Sequence, residues 1–292
     1  MNKIRAHYEV NYEKYHEYLL FALIPLIFVG IYKNGLHVYL KHLVTILYIL
    51  KPIIILLFGI LVSFLLNKTF KTKEFFQLSF YNVLISLCLS ININIYVFLL
   101  GIIILDIIYL KWLKKIPISF VSLSVILISS ISYFIKSYSF LNHYESININ
   151  SYNFIDFFIG KSIGGIGTTS IILIILALIY LVNQKYYKSD IAISSIFIYF
   201  ICACWALLLN YTFQESMMTL CCYSSIFAFV FIAPINYQSP KKSIDRYIFS
   251  ALISILAFVL IYILKIELGV FISILIVNFI FFIKKLIKKE GN

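Results

Sequence analysis

The chain has 292 residues, 62% of them hydrophobic and only 12% charged, with a mean hydropathy of +0.99. That balance excludes a soluble globular domain and a disordered chain, and it places the molecule among integral membrane proteins. The net charge of +12 is spread over short loops between apolar runs, so it reads as a topology signal and as contact with anionic lipids, with no nucleic acid as partner.

Residues Met1 to Glu17 are polar and carry no cleavage site, so the first apolar run is expected to stay as a span. A span needs roughly 20 residues, and ten runs qualify: Tyr18 to Tyr32, Leu36 to Leu66, Leu78 to Ile91, Ile95 to Leu113, Ile118 to Ile135, Ile163 to Asn183, Ile191 to Tyr211, Met217 to Ile235, Tyr247 to Leu264 and Gly269 to Ile287. The second run is too long for one straight span and is interrupted by Lys51-Pro52. Lysine placement decides its reading. Treated as one spanning element, it leaves 18 of the 24 basic residues in segments on one side, the cytoplasmic one by the positive-inside rule. Both termini are then cytoplasmic.

The predicted organisation is a single polytopic membrane domain over residues 1–292. It comprises a cytoplasmic segment 1–17, a first five-helix half 18–135, an external loop 136–162 and a second five-helix half 163–292. An odd number of spans per half makes an inverted repeat the natural geometry, with broken helices near the midplane at Ser90 to Asn94 and Pro234 to Pro240.

Within the spans, Asp106 is an intramembrane carboxylate. It belongs either on a cation path or at the boundary near Lys111, paired or reaching the headgroups. Cys88, Cys202, Cys204, Cys221 and Cys222 all lie in apolar runs, where free cysteine serves as a small buried residue; their spacing does not favour a cluster. The five histidines show no metal-ligand spacing. Tyr180, Tyr186 and Tyr187 sit at span ends, as an interfacial belt requires.

Asp156 to Ser170 holds four of the ten glycines and runs directly into the apolar segment Ile171 to Val182. Glycines at a helix entrance let backbone approach backbone or a ligand, and they leave amides at the positive end of the helix dipole that bind an anion. They serve equally for close packing of membrane helices. Gly160 to Ser170 resembles the Gly-x-x-Pro-Gly-Ser-Ile-Gly-Glu-Thr-Ser segment of the RnfD family, a membrane component of Rnf electron-transport complexes, and of its relative NqrB, from the sodium-pumping NADH:quinone reductase. Ile163, Gly165 and Thr168 replace the family's Pro, Ser and Glu.

Three further stretches are similar to the same family. His16 to Pro25 with Gly30-Ile31-Tyr32 and Gly35-Leu36 resembles its opening. Phe80 to Gly101 aligns with Leu84, Leu87, Leu89 and Gly101 kept and Tyr81-Asn82 in place of a Thr-Gly pair. Phe227 to Pro240 resembles its Gly-Ala-Phe-Phe-Met-Ala-Thr-Asp-Pro-Val-x-Ser-Pro, with Asn236 near the Asp, and Gly269-Val270 with Ile274-Leu275 and Asn278 resembles its last segment.

The resemblance implies a membrane subunit that holds a flavin, FMN or riboflavin, and passes electrons across the bilayer of the cell membrane. Ion translocation would be coupled in the full complex, and the other membrane subunits would be its partners. The implied cofactor-binding residues are Gly160, Gly164, Gly165, Gly167, Thr168, Thr169, Ser170, Asn236 and Ser239, facing the turn Ser90 to Asn94. The family's Ser-Gly-Ala-Thr, whose Thr carries covalent FMN, has no counterpart in Lys136 to Asp156, so the flavin is expected to be held without a covalent bond. The alternative is a diverged permease for a small solute or cofactor, built on the same midplane cavity.

Overall fold

The computed structural model describes residues 12–40, 46–70, 75–135, 153–235 and 237–290. Among them every regular element is a helix, and the outward faces carry large apolar side chains such as Phe21, Phe28, Leu100, Phe197 and Leu208. Such a surface is a liability in water and is solvated by lipid. The chain is an all-α membrane protein.

The helices in chain order are α1 (Tyr12–Ile31), α2 (Lys51–Phe70), α3 (Phe75–Cys88), α4 (Ile95–Lys111), α5 (Phe120–Phe134), α6 (Phe154–Ile159), α7 (Ile171–Val182), α8 (Ser189–Trp205), α9 (Phe213–Cys221), α10 (Ser225–Phe231), α11 (Ser243–Phe258) and α12 (Gly269–Glu290). Among the described residues five helical stretches are long and apolar enough to cross a membrane: Lys14–Leu40, Tyr48–Phe70, Ser189–Leu209, Ser243–Ile263 and Gly269–Ile287. Polar caps fix several starts. Asn94 accepts from the Tyr96 amide at the head of α4, Ser119 from Ser122 at α5, and Thr212 closes a capping box with Glu215 at α9.

Three boundaries differ from the expectation. The long second run does not form one element: its first residues prolong α1 through a π-helical turn, Tyr32–Leu36, and His37–Leu40, and the next spanning helix begins at Tyr48. A Cβ on Gly35 would lie 2.9 Å from the Ile49 carbonyl oxygen, so the chain doubles back there by direct backbone contact. Pro52 introduces no kink, because it sits in the first turn of α2, where its missing N–H is not needed. The run Ile163 to Asn183 is helical only from Ile171. The run Met217 to Ile235 is divided into α9 and α10, with Tyr223 and Ser224 at φ 56° and 61° in the left-handed region.

The principal packing partners recur. In the first set α3 packs on α1, α2 and α5, and α4 on α2 and α5. In the second set α10 packs on α7, α8 and α12, and α11 on α8 and α12. The sets meet through matching members, α1 on α7 and α5 on α12, which is the pattern a two-fold relation between them produces.

Candidate functional site

The glycine-rich segment is wedged between α1, the end of α3 and the α9–α10 turn. The Ile166 amide donates to the Leu89 carbonyl at 3.0 Å and the Gly167 amide to the Leu87 carbonyl at 3.1 Å. The Gly165 amide donates to Thr168 Oγ1 at 3.0 Å, and that hydroxyl lies 2.6 Å from Ser224 Oγ. From the other side the Tyr223 amide donates to the Ile163 carbonyl at 3.1 Å. A Cβ on Gly165 would stand 2.4 Å from the Leu87 carbonyl oxygen. Gly160, at φ +110°, ends α6, and a Cβ there would stand 3.0 Å from the Ser170 Cα and backbone nitrogen.

Two side chains from the short stretch between the first two predicted spans complete this packing. Lys33, only 5% exposed, donates from Nζ to the Ser162 carbonyl at 2.7 Å and to Thr169 Oγ1 at 3.4 Å. Asn34 donates from Nδ2 to the Ile166 carbonyl at 2.8 Å and to the Gly30 carbonyl at 3.0 Å. The hydrophobic flanks of Lys33-Asn34 hid them: a continuous helix carries them inward where a loop was expected.

Ser239 lies elsewhere. It follows the far end of α10, whose seven residues separate it from Ser224 by about 10 Å of helix rise. Its hydroxyl lies 2.6 Å from Lys188 Nζ, which also donates to the Ser239 carbonyl at 3.1 Å. Burial pushes the Lys188 ammonium down to about 8, the Arg246 guanidinium adds to that and Asp190 opposes it. Asn236 lies outside the described residues, as does most of the Lys136 to Asp156 loop. Gly160, Gly164, Gly165, Gly167, Thr168, Thr169 and Ser170 are therefore brought together, and Ser239 is not with them.

Beside Ser239 a cavity of about 510 Å³ opens between the α4–α5 connection, the segment before α11 and the last turns of α12. Lys241, Lys242, Lys284 and Lys285 line it, against one carboxylate, Asp245, which pairs with Lys284 at 2.9 Å. Tyr237, Phe281 and Phe282 supply rings. Gln238 and Asn278, 6% and 2% exposed, also line it, and Gln238 Oε1 and Asn278 Oδ1 are buried without a hydrogen-bond partner. The helical spacing of Asn278, Phe281, Phe282 and Lys285 was the available signal for this face.

A family model described as the NQR2, RnfD, RnfE family matches residues 109–290, more than half of the chain. The chain belongs to the NQR2, RnfD, RnfE family. No individual curated protein matches it. Membership supports a membrane subunit of Rnf- or Nqr-type complexes.

The flavin that this family implies can be tested against both places. At the glycine-rich segment it does not fit: the amides of Gly165, Ile166 and Gly167 are spent on protein oxygens, and backbone fills the space a ring would need. The cavity beside Ser239 does fit a phosphate-bearing ring, with lysines and the α11 N-terminus for the phosphate, aromatic rings for stacking, and two buried amides for a heterocycle edge. None of the five cysteines forms a disulfide, and among the described residues no group of His, Cys, Asp and Glu can hold a metal.

Proposed function

We propose that this NQR2, RnfD, RnfE family chain is the membrane subunit of an Rnf/Nqr-like electron-transport complex, holding a flavin reversibly in the cavity between Ser239 and Lys285. The single observation that carries the flavin is the convergence there of four lysines, three aromatic rings and two buried amides whose oxygens lack a hydrogen-bond partner. When bound, a flavin supplies the redox chemistry, passing electrons across the bilayer, with ion translocation coupled in the full complex. Lys241, Lys242, Lys284 and Lys285 neutralise the phosphate, and Gln238 and Asn278 orient the ring edge. The clustered lysines support a reading in which that end of the bundle, with both termini, faces the cytoplasm. The glycine-rich segment acts as structure, locking α1, α3 and the α9–α10 turn together.

The test is the visible spectrum of the chain purified in mild detergent, before and after acid precipitation, followed by titration with FMN and with riboflavin. Flavin released by acid, and FMN bound more tightly than riboflavin, is the expected result. Changing Lys284 and Lys285 together to alanine should weaken FMN about tenfold or more while leaving riboflavin nearly unaffected. Absence of flavin under every condition would move the assignment to a permease for a small solute or cofactor.

A further inference from the structure

Outside the two places already described, the lysine-bearing end of the α8–α11 pair gathers cations. Serines hold the seam between these helices: Ser194 donates to Ser250 Oγ at 2.7 Å, and Ser254 to the Ser195 carbonyl at 2.8 Å. One turn before Ser194 on α8 is Asp190, whose Oδ2 lies 3.0 Å from Arg246 Nε of α11, with both side chains part-exposed. Lys188 stands close enough that Arg246 and Lys241 both push its ammonium down. Lys185 is exposed in the same turn between α7 and α8.

Asp190 does not satisfy this arginine. Its Oδ1 accepts from the Ile191 amide at 3.0 Å, and its Oδ2 meets Arg246 Nε off the line that a hydrogen bond needs, so the buried Nε–H lacks an acceptor. Among the described residues the two terminal guanidinium nitrogens have no protein partner. Those are the nitrogens that fork onto a phosphate. The next carboxylate, Asp245, pairs with Lys284 at 2.9 Å, so Arg246, Lys188 and Lys185 share Asp190 alone and leave an excess of positive charge.

The pair sits over an outward apolar stripe. Asp190, Ser194, Phe197 and Ile201 share one face of α8, where Phe197 and Ile201 are exposed, and on α11 the exposed Tyr247 and Ile248 follow Arg246 directly. A topology signal asks only for cations at this end of the spans. It does not ask for an arginine fixed above side chains that acyl chains solvate, with its fork left open. A phosphate that arrives on a lipid uses both features, and a free phosphate uses one.

We propose that Arg246, with Lys188 and Lys185, seats the phosphodiester of an anionic phospholipid at the α8–α11 seam, its acyl chains lying along Phe197 and Ile201. None of these residues lines the cavity beside Ser239, so the site stands apart from the flavin reading.

Native mass spectrometry of the purified chain in detergent micelles tests it, with dioleoylphosphatidylglycerol titrated against dioleoylphosphatidylcholine. Wild type should hold one phosphatidylglycerol about tenfold more tightly than phosphatidylcholine. Arg246→Gln should erase that preference. Asp190→Asn, which keeps an acceptor for the Ile191 amide and frees the guanidinium, should strengthen it, and this opposite sign carries the test if Arg246→Gln fails to fold. Lys111→Gln, on α4, should leave it unchanged. Equal retention of the two lipids, an unchanged preference in Arg246→Gln, an unchanged or weakened one in Asp190→Asn, or a loss in Lys111→Gln as large as in Arg246→Gln would overturn the proposal. Displacement of the lipid by excess inorganic phosphate would overturn it too, by making the ligand a soluble anion.

Discussion

The Lys33 ammonium donates to the Ser162 carbonyl at 2.7 Å across 129 residues of chain, tying the π-helical end of α1 to the glycine-rich segment. The contact is buried, so loss of the donor leaves a carbonyl unsatisfied, a cost of about 1–3 kcal/mol. Lys33→Met should lower the thermal unfolding midpoint in detergent by that equivalent, and Asn34→Leu, which strands the Ile166 carbonyl, should do the same. Unfolding midpoints equal to wild type for both would show that these bonds contribute nothing net.

Gly165→Ala should be among the most damaging single-methyl changes in the chain. Its Cβ would stand 2.4 Å from one carbonyl oxygen and 2.6 Å from the next, both backbone atoms at the end of α3, which cannot step aside. Overpacking of this kind costs about 1–3 kcal/mol. Gly164→Ala meets the Thr169 methyl at 2.8 Å, a side-chain atom with room to turn, and should cost less. Limited proteolysis and unfolding midpoints of the two variants give the ranking, and the reverse order would sink the backbone-contact account.

Much of this was legible in the sequence, and the misses share a cause. Apolar run length and lysine placement pointed to an all-α membrane chain, because lipid leaves backbone few options. The family was legible from Gly160 to Ser170 and from Phe227 to Pro240, both inside the matched residues 109–290. Periodicity could not say that Leu36 to Leu40 prolongs α1, since an apolar run looks the same before and after a turn. Nor could it divide α9 from α10, where the break falls on Cys222, Tyr223 and Ser224, with neither glycine nor proline to mark it. The glycines were visible, but what they approach is fixed by α3 and the α9–α10 turn, remote in sequence. The cavity beside Ser239 draws on three separated segments and left no local signature beyond the α12 face.

Lys188 offers a pH test. Burial, with the Arg246 guanidinium, pushes its ammonium down to about 8, while an unfolded lysine titrates near 10.4. Below the folded value both states are protonated and the fold bears the full cost of the buried charge. Between the two values the unfolded chain binds more protons, so this residue's contribution to stability rises with pH across that window. The difference in unfolding midpoint between wild type and Lys188→Met should therefore move in favour of wild type as pH climbs from about 8 to about 10. A difference that stays constant over that range would remove the buried charge from the account.

The sidedness of the bundle follows from which residues share an end. Tyr15, near the start of α1, lies 3.5 Å from the Pro234 carbonyl, close in sequence to the Lys241 cavity, whereas Lys33 at the other end of the helix meets Ser162. At about 1.5 Å per residue the intervening helix is close to one bilayer thick. Lys161 adjoins Ser162, and Lys265 follows the end of α11, whose start lies beside the cavity. Single replacements Lys161→Cys and Lys265→Cys should thus react with a membrane-impermeant maleimide in intact cells, above the background of the native cysteines. Lys241→Cys and Lys285→Cys should react only once the membrane is opened. Labelling of all four from outside would break the assignment of the cavity to the cytoplasmic end, and labelling of one member of each pair would break the bundle geometry itself.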